Sequence, residues 1–549
     1  MHGVGEDEAA VGVAPGPAGP GPRPVGYRRP HDGDVARLVD SLVAPALEPI
    51  VEFVVTADDE AYEVRAVDGR VRFARTAEGA GWRFDDLEVD GRNPLGDTAT
   101  DRFSPLDDEL SHHWPDRTEQ AYPHAHEQIA QLFDHPAAPD LVCLHTAAHN
   151  WQDQGGERGE HGSLGIVQAR APFVLAGAGV KRQGVIPRSC RLVDVAPTVL
   201  ALLGAEPAEG PGSSGSPSVD HGAGIGPNGA VLEGALLNRQ DGQVLGDLLD
   251  RSAPGPDHVV GFLWDGTNAN VLYDMVAQGE APNVARLLEM GVALGHGAMA
   301  SLPSVTLANH TTILTGTHPG HHGILHNAWY DKATGQQVIT NSPATWPWAM
   351  QTLSPAVETI HQAVHRNWPG AFTVSVNEPC DSGADHSIFD QVRRGEGLPR
   401  APRADELPFA TERFVRPEKG YEIASRIDHT GMTQAVEAWT SGHSGNGLLG
   451  TRLPRFCFVN FTLTDAAFHH SGPYADIARS SIHDTDARLG RILDAIERAG
   501  AWDRTAFFLV ADHGMEDSNP EVTGNWAPAL DATGVPYRDE AYGFIYATR

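Results

Sequence analysis

The chain has 549 residues with 41% hydrophobic and 20% charged side chains, and 72 acidic against 40 basic residues give it a net charge of −32. That length buries a large core, as roughly two to four domains or as one large α/β domain with insertions. The acidic balance excludes a nucleic-acid duplex or an anionic membrane surface as the natural partner, and no run approaches the ~20 apolar residues of a membrane span.

Residues 1–28 are rich in Gly, Pro and Ala, lack an apolar leader core and are expected to be a disordered tail, which suggests a cytoplasmic protein. From 29 to 204 the pattern is mixed α/β. Val51 to Val55 reads as a strand, Ala61 to Phe73 as two strands turning at Asp68-Gly69, and His124 to Phe133 as a helix. Buried strands are expected at Asp140 to His145 and Pro172 to Gly177, and a helix over Val193 to Leu203 stops at Gly204. Residues 205–229 are dense in Gly, Pro and Ser and read as a flexible linker. A second α/β pattern fills 230–549, with strands at His258 to Trp264, Arg455 to Leu463 and Thr505 to Val510. Helices are expected from Pro282 to Met290 and from Ser481 to Ala499. Alternating strands and helices predict a mostly parallel sheet covered on both faces. The span of about 333–450, richer in Trp, Pro and polar residues, is expected to combine sheet elements with a cap over the site. Cys143, Cys190, Cys380 and Cys457 form no CxxC pair and are expected to be free core thiols.

The residues that carry chemistry sit where such a sheet binds ligands, beyond the carboxyl ends of its strands. Asp265 follows the first strand of the second half, Asp465 the second, and Asp512-His513 the third. Carboxylates and imidazoles converging from several strand ends supply the hard oxygen and borderline nitrogen donors of a two-metal site. Asp465 and His469, four apart, share a face if their segment is helical. Thr306 precedes an apolar run and is placed at a helix N-terminus. There it is either a simple cap or a hydroxyl whose deprotonation the helix dipole would favour.

The run Thr306-Leu307-Ala308-Asn309-His310-Thr311-Thr312-Ile313-Leu314-Thr315-Gly316, continuing through His322-Gly323-Ile324 to Asn327-Ala328-Trp329-Tyr330-Asp331, resembles the nucleotide pyrophosphatase/phosphodiesterase branch of the alkaline phosphatase superfamily. Asp465 to Pro473 and Ala511-Asp512-His513-Gly514-Met515 resemble it too. The likeness covers about 258–549 and resumes over about 158–204, around His161-Gly162-Ser163. It implies an alkaline-phosphatase-like α/β fold with two divalent metal ions, zinc first and manganese or iron as alternatives. One ion would be held by Asp265, Thr306, Asp512 and His513, the other by Asp465, His469 and His161. Asn327 would donate to a phosphoryl oxygen. Tyr330 and Lys332 are weaker substrate-binding candidates. The implied mechanism is in-line attack by the Thr306 oxygen on phosphorus, then hydrolysis of the phospho-threonine by water. His310 and His322 fall in the family pattern without being implied ligands. His112, His113, His145, His149, His321, His326 and His470 read as structural or surface residues.

In superfamily order His161 would come last; here it precedes every other ligand. That order is expected of a circular permutation, in which 29–204 is the displaced C-terminal part of the catalytic domain and the linker joins the old ends. The competing accounts are an independent N-terminal module and a domain-swapped His161 serving a second subunit. The substrate implied is a small phosphate ester, nucleotide or phosphonate. Besides a phosphodiesterase or nucleotide pyrophosphatase, a phosphonoacetate-hydrolase-like C–P hydrolase, a phosphomonoesterase and a non-catalytic metal-binding protein remain open. A sulfatase is excluded by the missing CxPxR-type nucleophile motif.

Overall fold

A computed structural model describes residues 32–152, 155–208, 224–396, 419–440 and 452–548. The expected tail and most of the expected linker lie outside the described residues, as do 397–418 and 441–450 of the span proposed to include a cap.

An eight-stranded sheet forms the centre. In spatial order its strands are His386–Ser387, Thr373–Val376, Phe456–Phe461, His258–Trp264, Thr505–Val510, Phe173–Gly177, Gly291–Leu294 and Gly184–Ile186. The first five run parallel; Phe173–Gly177 is antiparallel to both its neighbours. His258–Trp264 is buried along its whole length, as a strand covered on both faces must be. Its side chains divide between two cores. Val259 and Leu263 pack with Leu200, Ile313 and Phe508. Val260, Phe262 and Trp264 pack with Trp439, Leu489 and Ile492 on the opposite face. The first core is closed by helices Val195–Leu203, Thr306–Thr315 and Ile360–Asn367, the second by Ala269–Ala277, Pro282–Leu288, Lys419–Trp439 and Asp476–Arg498. This is the mostly parallel, doubly covered sheet that the alternating pattern predicts.

A second sheet is wholly antiparallel, in the order Tyr537–Glu540, Phe544–Ala547, Leu141–His145, Val51–Ala57, Tyr62–Ala66, Gly69–Glu78 and Gly81–Gly91. The expected hairpin is present, with Tyr62 opposite Phe73. Strands from near both ends of the chain therefore share one sheet. In the span proposed to include a cap, Thr373–Val376 and His386–Ser387 extend the central sheet, and Lys419–Trp439 packs beneath it. All four cysteines are buried and free. No helix among the described residues is long and apolar enough to cross a membrane.

A buried ionic junction ties three parts of the sequence together. His321 Nδ1 lies 2.5 Å from Asp241 Oδ2, and its Nε2 lies 2.9 Å from Asp134 Oδ2. Burial disfavours the imidazolium, but Asp241 and Asp134 outweigh it and hold the His321 pKa above its usual value. Burial likewise opposes the charge on Asp241, yet His321 and His318 keep that carboxyl well below the usual range. The raised histidine stabilises the fold below its unfolded pKa, and that contribution fades as pH rises through the folded value; the depressed carboxylate contributes above about pH 4 and fails as pH falls further. Asp241→Asn is therefore expected to cost about 3 kcal/mol near pH 6, by leaving a buried imidazolium with one partner fewer. The deficit should shrink at pH 9 or above without vanishing, because Arg239 also lies 3.8 Å from Asp241. Denaturant unfolding at the two pH values measures this; an equal deficit at both would contradict the ionic assignment.

Candidate metal centre

The expected ligands converge at the carboxyl edge of the central sheet. Asp265 follows strand His258–Trp264, and Asp512 and His513 follow Thr505–Val510. Helix Leu463–Ser471 starts just beyond Phe456–Phe461 and carries Asp465 and His469, with His469 Nε2 3.4 Å from Asp465 Oδ1. Gly266 has a φ of +62°, and a Cβ there would stand 2.6 Å from Asp465 Oδ1. Only glycine lets the two aspartates approach this closely. Asp265, Asp512 and His513 are buried, whereas His161, Asp465, His469, Thr306 and Asn327 are half-buried. The cluster thus has a dry floor and a more accessible rim.

His161 arrives beside strand Gly159–Glu160, which pairs with Glu516–Asp517. Its Nε2 lies 3.1 Å from His469 Nε2, and its ring stacks on His513 with centroids 3.7 Å apart. His161 Nδ1 donates to the Ser304 carbonyl at 2.8 Å, His469 Nδ1 to Gly159 at 2.8 Å and His513 Nδ1 to Gly514 at 2.9 Å. A carbonyl only accepts, so each Nδ1 carries the proton and each Nε2 is left to the cluster. Ligating histidines are held in this way. Two such nitrogens facing one another beside Asp465 call for a shared cation.

The electrostatics agree. Burial raises the Asp265 pKa well above the carboxylate range, and the nearby Asp512 and Asp465 raise it further. Removal from water, with His513 and His469 close by, keeps the His161 pKa well below its usual value. Burial works against the charge on His513, but Asp512 pushes its pKa up to about 9. Asp265 Oδ1, Asp465 Oδ1, Asp512 Oδ2 and His513 Nε2 are buried and make no well-aligned hydrogen bond. Their contacts are ionic, with His513 Nε2 3.1 Å from Asp512 Oδ2 and His469 Nε2 3.4 Å from Asp465 Oδ1. Buried polar atoms left this way are costly unless something else satisfies them. These oxygen and nitrogen donors fit divalent metal ions. Their atoms group as His161/Asp465/His469, Asp265/Asp465/His513 and Asp265/His310/Asp512, each within 4.8 Å.

The third group includes a residue that the sequence reading set aside. His310 is buried, with Nε2 3.5 Å from Asp265 Oδ2 and 3.4 Å from Asp512 Oδ2, and Nδ1 2.8 Å from Glu378 Oε2. Glu378 was missed as well. It follows strand Thr373–Val376 through Asn377, whose φ is +54°. An acid just beyond a strand end is also where Asp265 stands, but this strand, Thr-Val-Ser-Val, is too short and too polar to be marked by its residues.

Thr306 is the first residue of helix Thr306–Thr315; the cap position is Val305, and no side chain caps the helix. The simple-cap alternative therefore does not describe Thr306. Asn327 Oδ1 accepts from the Leu307 N–H at 3.5 Å, which places its amide beside the same helix start. Tyr330 and Lys332 are engaged elsewhere. Tyr330 is buried edge-on against Tyr546, and Lys332 Nζ pairs with Asp140 at 2.9 Å. Other histidines take structural partners: His149 meets the Gly524 carbonyl, His322 the Thr312 hydroxyl, and His326 the ring of Phe544.

Fold and cluster together define an α/β protein with a histidine–carboxylate cluster, able to hold metal ions, at its strand ends. The family described as type I phosphodiesterase/nucleotide pyrophosphatase matches residues 259–545, more than half of the chain. The chain belongs to that family. It is 34% identical over 102 residues to the alkaline phosphatase PafA of Elizabethkingia meningoseptica, a match covering 19% of each protein. It is 23% identical over 266 residues to mouse ectonucleotide pyrophosphatase/phosphodiesterase family member 3, covering 48% of this chain and 25% of that one. Among solved structures, murine ectonucleotide pyrophosphatase/phosphodiesterase 5 aligns with a TM-score of 0.33 at 20% identity, over 47% of this chain and 57% of that one. The chain spans about a fifth to a quarter of the length of these curated relatives.

Proposed function

We propose that the protein is a metal-dependent phosphohydrolase, first of all a phosphodiesterase or nucleotide pyrophosphatase, that works through a phospho-threonine intermediate on Thr306. The observation that carries this reading is the pair of Nε2 atoms of His161 and His469, 3.1 Å apart beside Asp465, within a cluster that also gathers Asp265, Asp512 and His513. Asp465, His469 and His161 would hold one ion; Asp265, Asp512 and His513, with the Thr306 hydroxyl, would hold the other. Bound divalent ions, zinc first, supply positive charge for the attacking and leaving oxygens and make a hydroxyl more acidic. The chain's own residues do the rest. Thr306 offers its oxygen at a helix N-terminus, where the helix dipole favours a phosphoryl anion. Asn327 turns its Oδ1 toward the Leu307 N–H, which leaves its Nδ2 to donate to a phosphoryl oxygen.

The same geometry supports circular permutation within one chain. His161 meets the downstream ligands, Phe173–Gly177 sits in the downstream sheet, and Leu141–His145 pairs with Phe544–Ala547 close to the C-terminal end.

Elemental analysis of the purified protein, with and without added zinc or manganese, is expected to find about two transition-metal ions per chain. A panel of nitrophenyl phosphodiester, nitrophenyl phosphomonoester, nucleotide and phosphonoacetate should then show highest kcat/KM on the diester or nucleotide. Protein that stays metal-free after reconstitution would sink the site. Fastest turnover of phosphonoacetate or the monoester would move the reading to one of those classes.

A further inference from the structure

A cavity of about 210 Å³ opens against the cluster, with His161 and Val305, the neighbour of Thr306, in its wall. A group bonded to phosphorus at the cluster therefore has this cavity within reach. Trp151 and Tyr542 line it, their ring centroids 5.3 Å apart. The Trp151 ring is held edge-on by Trp526 at 4.9 Å and is nearly buried. Tyr542 and its neighbour Ala541 both take left-handed backbone, with φ of +56° and +50°, in the turn that brings the tyrosine to the cavity mouth. Backbone of this kind in a non-glycine residue costs energy and concentrates where a side chain must be held for a ligand.

Among the described residues the wall carries acids and no lysine or arginine: Glu157 is exposed, and Glu160 is buried, its pKa pushed up to about 8 by burial and by Glu157. A pyrophosphate leaving group would face the Glu157 carboxylate with no lysine or arginine of the described residues to meet it. An uncharged ring would meet the exposed Tyr542 ring and the part of Trp151 that His149, its ring centroid 4.3 Å away, leaves open to the cavity. The volume falls below the roughly 300–1,000 Å³ of pockets for drug-sized ligands, so the space suits one ring system and not a second complete nucleotide.

We propose that this cavity receives the leaving group of the substrate and selects an uncharged aromatic one, so that the enzyme favours phosphodiesters of aromatic alcohols over nucleoside triphosphates. The proposal rests on the phosphohydrolase reading above and specifies its substrate class. Chemistry at phosphorus is common to both substrates. The Thr306 hydroxyl gives up its proton to solvent as the Oγ–P bond forms, the P–O bond to the leaving oxygen breaks, that oxygen departs with the electron pair, and water then hydrolyses the phospho-threonine. Only the group in the cavity differs.

Two substrates sharing one nucleotidyl part isolate that difference: the 4-nitrophenyl ester of thymidine 5′-monophosphate, which releases nitrophenolate, and thymidine 5′-triphosphate, which releases pyrophosphate. Both are assayed with the metal-loaded full chain. Trp151→Leu is expected to lower kcat/KM for the ester on the order of tenfold and to leave that for the triphosphate within about twofold. The exposed Glu157→Lys, whose backbone and not its side chain holds Asn150 and Ser518, should raise the triphosphate value and leave the ester value little changed. Each ratio is internal to one protein, so partial misfolding cancels. If both variants change the two substrates equally, or leave the ratio at its wild-type value, the proposal is overturned. If the metal-loaded wild type hydrolyses neither substrate, the phosphohydrolase reading itself falls.

Discussion

Replacing Thr306 by alanine is expected to reduce turnover at least about 10³-fold, the scale on which loss of a covalent nucleophile is felt, with metal content close to that of the wild type. The fold gives three reasons. Thr306 opens helix Thr306–Thr315 without capping it, and alanine is well tolerated in a first turn. The helix is held from its other residues, with Leu307 to Thr315 all buried and Ile313 and Leu314 in the core beneath the sheet. The metal-ligand groups also assemble from carboxylates and imidazoles alone, so loss of one hydroxyl leaves each set of three intact. Thr306→Ser keeps the oxygen and should keep part of the activity. Steady-state kinetics beside elemental analysis decides the matter. An alanine variant that still turns over substrate would remove Thr306 from the mechanism, and one that loses both ions would make it a structural residue.

The parts of the architecture legible in the sequence are those where a local pattern determines the outcome. His258–Trp264 and Thr505–Val510 are apolar beyond their first residue, so their burial on both faces follows, and with it the placing of Asp265 and Asp512 at their ends. Gly204, at a φ of +75°, ends its helix as expected. Non-local pairing is what the sequence does not display. Leu141–His145 reads as a buried strand, but nothing in its residues says that one partner is Val51–Ala57 and the other Phe544–Ala547. Thr373–Val376 has only four residues, too few for periodicity to mark it as sheet within a polar span. Glu378 went unnoticed for the same reason, because an acid carries meaning only once the strand before it is known.

His310 shows a different limit. Position within a motif identifies a residue type worth attention, yet only the folded chain shows which carboxylates it faces. Here it stands between Asp265 and Asp512 on one side and Glu378 on the other. Burial works against a charge on its ring, but Glu378, then Asp265 and Asp512, hold its pKa well above the usual value. Asp512 is correspondingly held low by His513 and His310 against the effect of its own burial. The protons on these imidazoles partly balance three crowded carboxylates, and a divalent ion would take over that balance as ligands give up protons on metal binding.

His161→Ala is expected to have the second large effect: loss of about one of two metal ions per chain and a fall in activity of about 10²-fold or more, in line with the removal of one ligand of a two-metal site. His161 and His469 both turn their Nδ1 to backbone carbonyls and their Nε2 toward one another, so alanine removes one of the two facing nitrogens. The ion at Asp465 and His469 should be the one lost, because the Asp265/His310/Asp512 group does not include His161. Two retained ions with unchanged activity would defeat both the ligand assignment and the permutation built on it. The same variant separates permutation from domain swapping. His161 reaches His469 within a single chain here, so His161→Ala and Thr306→Ala proteins each lack part of the same site. Refolded together, they should remain as inactive as either alone. A swapped dimer would instead rebuild one complete site from the His161 of one protomer and the Thr306 of the other, and recovery of activity in the mixture would assign His161 to the neighbouring subunit.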